Sequence, residues 1–110
     1  MKLDLHIHTT ASGGAWSPEA VVRAAAKGGL DVIAVSDHDT TAAFATASAV
    51  AAEVRLQVIP ALEVSSTHRD RDVHVLGYFV DPEADAMIEA CERNGVRVAV
   101  AHRRANPYEQ

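Results

Sequence analysis

Asp4-Leu5-His6-Ile7-His8-Thr9-Thr10, near the start of the chain, decides how the rest is read. Leu3, Leu5 and Ile7 alternate with polar neighbours, the period of a strand that buries one face. His6 and His8 then project together from the opposite face, about 7 Å apart along the strand. Neutral imidazole is the commonest protein ligand for zinc-like ions. Two of them side by side at a strand end therefore form a metal clamp.

Strands and helices alternate behind this opening. Thr9–Ser17 is a loop, Ser17 is an N-cap with Pro18 at the first helical position, and a helix is expected over Ala20–Lys27. Gly28-Gly29 stops it. Leu30–Ser36 is nearly continuous in apolar residues, as a strand covered on both faces is. Alanine-rich Thr41–Glu53 predicts a second helix. Leu56–Pro60 and Glu63–Ser65 form a third strand region, Thr67–Asp72 a polar turn, and Val73–Val80 a fourth strand broken by Asp81-Pro82. Ala84–Arg93 reads as a third helix closed by Asn94-Gly95, and Val96–Ala101 as a fifth strand. This alternation implies right-handed βαβ units around a largely parallel sheet, forming one α/β domain over Met1–Gln110.

Composition narrows the class of function. Ten basic against 15 acidic residues leave a formal net charge of -5. That argues against a free-standing nucleic-acid binder, which works through a basic patch. It leaves room for an enzyme that holds phosphates through metal. The single cysteine, Cys91, has no partner for an intramolecular disulfide, so a cytoplasmic setting is expected and Cys91 is read as packing. No stretch approaches a membrane span, and the N-terminus enters a strand rather than a signal sequence, so no membrane partner is expected.

The polar residues fall where α/β folds gather their chemistry, at strand C-terminal ends. Asp37-His38-Asp39 follows the second strand, and Glu63 lies in the third strand region. His74 is set in the fourth strand, and His102 stands just past the fifth. Histidines with a carboxylate able to bridge ions suit two or more first-row divalent metals. His68 is left out, because its charged surroundings read as a solvated turn. Gly13-Gly14 and Gly28-Gly29 read as loop and helix-stop glycines, and no Ser-His-Asp or Cys-His grouping competes.

On these residues the chain resembles the PHP (polymerase and histidinol phosphatase) superfamily of metal-dependent phosphoesterases. Asp4–Thr9 resembles its first motif, Ala34–Thr40 its second, Ile59–Ser65 its third, and Val73–Asp81 the strand that follows. The likeness is to the branch that includes small nucleotide phosphatases and exoribonucleases. It implies a distorted (β/α)7 barrel, here partial with about five strands and three helices, around two or three divalent ions (Zn, Mn or Fe). By the resemblance, His6, His8 and Glu63 hold one ion, Glu63 and His74 a second, and His38 serves a third. His102 matches the next ligand strand. Glu63 and His38 are the candidate catalytic residues. The implied reaction is hydrolysis of a small phosphorylated substrate or short nucleic acid, by water activated on ions that Glu63 bridges. Asp4, Asp37 and Asp39 are expected to orient the ligand imidazoles.

Three departures stand beside the match. Ser12-Gly13-Gly14 has glycine where the branch usually carries an aspartate that helps bind the third metal. Arg103 replaces the proline that usually follows His102. The chain ends at Gln110, with no counterpart to the family's final Asp-x-His pair or its last strands. A shortened barrel leaves an unpaired edge, so a homodimer with contacts in Val96–Tyr108 is expected. The alternative is a catalytically impaired metal-binding fragment that acts in an assembly.

Overall fold

In a computed structural model, which describes residues 1–84 and 86–93, strand β1 (Leu3–Ile7) leads through a 3-10 turn at Thr10–Ser12 into helix α1 (Pro18–Lys27). The start of α1 follows from its residues. Ser17 Oγ accepts a hydrogen bond from the Ala20 amide at 3.2 Å, Pro18 sits in the first turn, and Glu19 complements the positive helix end. Strand β2 (Val32–Val35) comes next, then helix α2 (Phe44–Val54), strand β3 (Gln57–His68) and strand β4 (Arg71–Tyr78). Residues 86–93 are helical, within the third helix expected from the sequence. Asn94-Gly95, the fifth strand Val96–Ala101, the dimer segment Val96–Tyr108 and His102 lie outside the described residues.

The sheet order is β1-β2-β3-β4. β1 with β2 and β2 with β3 are parallel, joined through α1 and α2. β2 is buried at all four positions. Ile33 and Val35 pack beneath α1 and α2 with Val22, Ala25, Ala47 and Val50. Burying a side chain such as Ile33 fully is worth roughly 1.5–3 kcal/mol. The alanines of α2 let that helix lie close on the sheet. On the outside, Arg23 links the two helices, meeting Glu19 at 3.0 Å and Glu53 at 2.9 Å. Among the described residues, no helix is long and apolar enough to cross a membrane.

The expectation of a largely parallel sheet holds for β1–β2–β3 and fails at β4, which pairs antiparallel with β3 as a hairpin. The third strand region is also one 12-residue strand rather than two pieces. Its first part pairs with β2, from Gln57 to Pro60, and its second part with β4, from Ala61 to His68. The expected turn over Thr67–Asp72 shrinks to Arg69-Asp70, both at positive φ (52° and 63°), as a two-residue type I′ connection requires. Leu3 departs from its expected burial. It is 53% exposed, because β1 is the edge of the described sheet.

Candidate metal centre

The site is built around the carboxylate of Glu63. Both backbone groups of Glu63 are tied to the loop after β2: its amide donates to the Asp37 carbonyl at 2.9 Å, and its carbonyl accepts from the Asp39 amide at 3.0 Å. Asp39 Oδ1 also accepts from the Ser65 amide at 2.8 Å. His38 is thereby held beside Glu63, and the two form an isolated parallel bridge.

Four imidazoles surround the carboxylate. Oε1 lies 2.8 Å from His6 Nε2 and 2.9 Å from His8 Nε2, while Oε2 lies 2.8 Å from His74 Nδ1 and 4.0 Å from His38 Nδ1. The rings form a continuous arc, with centroid separations of 5.1 Å (His6–His8), 4.4 Å (His8–His38) and 5.0 Å (His38–His74). Glu63 is buried, whereas half of the His6 side chain and 46% of that of His74 are open to solvent. Burial by itself would raise the Glu63 pKa. Hydrogen bonds from His6 and His8, the charge of His38 and the His74 hydrogen bond overcome it and hold the carboxyl down to about 2. His38 moves the other way: burial disfavours its charged form and lowers its pKa, against the pull of Glu63.

Two overlapping donor groups result: His6, His8 and Glu63, and His38, Glu63 and His74, with the ligand atoms of each within 4.8 Å of one another. An ion bound at about 2.0–2.2 Å needs donors separated by at most about twice that length, and the histidine–carboxylate distances of 2.8–2.9 Å fall inside that limit. Nitrogen donors with one shared carboxylate are a set that first-row divalent ions accept. Five residues from the sequence reading, His6, His8, His38, Glu63 and His74, are thus together. His38 lies in the second group, with Glu63 and His74.

Two expectations about placement need correction. Glu63 and His74 are mid-strand, not at strand C-terminal ends, because β3 continues past the site and β4 returns antiparallel. Nor do Asp4, Asp37 and Asp39 accept from the imidazoles. Asp37 is buried and instead accepts from the Thr9 amide and the Ser12 hydroxyl, both at 2.6 Å, and from the Thr9 hydroxyl at 2.7 Å. It pins the loop that follows His8. Gly14 serves the same loop: a Cβ there would sit 2.8 Å from the Thr9 carbonyl oxygen. Gly13, at φ 95°, has open space around it and no side chain to offer. Tyr78, unassigned in the sequence reading, donates from its hydroxyl to the Leu5 carbonyl at 2.8 Å. Its spacing from His74 on one strand face was the available signal.

Comparison with known proteins agrees with this architecture. The chain is 39% identical over 88 residues to the 5'-3' exoribonuclease Rnm of Escherichia coli, covering 78% of this chain and 30% of that protein. It is 38% identical over 90 residues to a phosphoribosyl 1,2-cyclic phosphate 1,2-diphosphodiesterase of Eggerthella lenta, covering 80% of this chain and 34% of that protein. A crystal structure from Bifidobacterium adolescentis, described as a candidate metal-dependent phosphoesterase, superposes with a TM-score of 0.84 at 30% identity, over 94% of this chain and 36% of that one. The chain spans about a third of the length of the curated relatives it matches. A PHP domain profile matches residues 4–107, and the chain belongs to the PHP domain family.

Proposed function

We propose that this chain carries metal-holding residues of a phosphoester hydrolase, with His6, His8 and Glu63 around one divalent ion and His38, Glu63 and His74 around a second. The observation that carries the reading is the Glu63 carboxylate, which turns one oxygen to each histidine group. Divalent ions held there would supply positive charge for phosphoryl oxygens and would lower the pKa of a bound water. Glu63 stays ionised at neutral pH and joins the two groups. Burial disfavours the charged form of His38 and so favours the neutral ring, which has a lone pair to offer. Asp37 holds Thr9 and Ser12, so the loop bearing His8 keeps its place when substrate arrives. The solvent-open sides of His6 and His74 leave an approach for a phosphate group. His102 is kept as a further candidate ligand.

The proposed substrate class is a small phosphorylated compound or a short nucleic acid, by likeness to an exoribonuclease and a phosphoribosyl cyclic phosphate diphosphodiesterase. The donors suit Zn, Mn or Fe alike. The test is hydrolysis of a generic phosphoester by metal-stripped protein with and without added Mn2+ or Zn2+. Metal-dependent turnover is expected in the wild type, with loss of at least about 100-fold in Glu63→Gln, more than changes outside the ligand set cost. Equal turnover in both proteins overturns the reading. A homodimer with contacts in Val96–Tyr108 is proposed as well. Sedimentation that stays monomeric at rising concentration contradicts it.

A further inference from the structure

Pairing between β1 and β2 is irregular between Asp4 and Ile7, so Leu5 and His6 have no register partner on β2. The peptide that joins them is held by side chains. Its N–H, on His6, donates to Asp4 Oδ1 at 3.1 Å, and its C=O, on Leu5, accepts from the Tyr78 hydroxyl at 2.8 Å. Tyr78 comes from β4, at the far side of the described sheet and 73 residues along the chain. By the two-residue period of a strand it shares a face with His74. Among the described residues, this hydroxyl makes the one hydrogen bond between β1 and β4.

We propose that Tyr78, with Asp4, is a positioning residue for His6: together they fix the Leu5–His6 peptide so that His6 Nε2 reaches Glu63 Oε1. A register slip frees a residue from the ladder and re-aims its side chain, and such a residue needs other anchors to keep one direction. Here the anchor spans the concave side of the sheet. It ties the strand that carries His6 and leads into His8 to the strand that carries His74, so both donor groups close on one carboxylate. The proposal rests on the metal-centre reading for its consequence, while the positioning itself concerns the metal-free protein.

The test pairs Tyr78→Phe, which removes only the hydroxyl, with two measurements. In long-range 1H–15N spectra of the metal-free protein, the His6 ring resonances shift and those of His74 stay in place. In Zn2+ or Co2+ titrations, the His6/His8/Glu63 group weakens by roughly 10-fold, the low end for residues that orient a ligand. Unchanged His6 resonances overturn the proposal, and so does a change spread equally over all four imidazoles. If the wild type takes up no metal, the metal-centre reading fails while the spectra still decide the positioning claim. Should Tyr78→Phe fail to fold, Asp4→Ala removes the other anchor of the same peptide and is expected to show the same His6-selective shift; its absence contradicts the proposal.

Discussion

The parallel half of the sheet and the β3–β4 hairpin meet at Glu63, and they are held together by different forces. In the parallel half, β2 is buried throughout and two helices cover it. In the hairpin, Arg71–Val75 are exposed, Val75 at 52%, and the strands are joined mainly by their own ladder. Yet each half brings part of the candidate site: His6, His8 and His38 from the first, His74 from the second. Glu63 is the seam, its backbone bonded to the Asp37-His38-Asp39 loop and its strand paired with β4. A packed scaffold holds three imidazoles, and a less buried arm brings the fourth to them.

The largest expected effect separates the two halves by stability. Ile33→Ala empties a fully buried position and is expected to cost roughly 2–5 kcal/mol. Val75→Ala, on the open face of β4, is expected to stay within about 0.5 kcal/mol. Urea unfolding of both variants checks this, and similar losses would mean that the hairpin has a core of its own.

Acid probes the seam. Glu63 is held at about 2, below the usual carboxyl value of roughly 4.3, so its ionised form favours the folded state. That contribution is complete above the usual value and is lost as pH falls towards about 2. Metal-free wild type is therefore expected to lose stability over this window, with a shallower loss in Glu63→Gln. Equal acid dependence in both places the sensitivity elsewhere.

How legible each half was in the sequence follows the same division. The parallel half announces itself through local chemistry: Ser17-Pro18 starts α1, Gly28-Gly29 ends it, and Leu30–Ser36 is apolar enough to be covered on both faces. The hairpin does not. Its turn, Arg69-Asp70, lacks the glycine that usually marks a type I′ connection, and alternation along a strand carries no information about which way its neighbour runs. The residues of the donor set were legible because histidine and glutamate are conspicuous. The anchoring roles of Asp37 and Tyr78 were not, since they depend on contacts 28 and 73 residues away.

The smallest effect tests the turn itself. Asp70, at φ 63°, sits where glycine is unstrained. Asp70→Gly is expected to stabilise the hairpin by at most about 1 kcal/mol, the low end of the left-handed penalty. Slower amide exchange across β3–β4 would show it; faster exchange would mean that the Asp70 side chain supports the turn.

The central claim is that Glu63 joins two metal sites. Anomalous diffraction from crystals of the protein loaded with Mn2+ or Zn2+ tests this most directly. Two peaks are expected, one among His6, His8 and Glu63 and one among His38, Glu63 and His74, each within coordination distance of a different Glu63 oxygen. A single peak bound without Glu63, or a Glu63 carboxylate that keeps only its histidine hydrogen bonds in the loaded crystal, would contradict it.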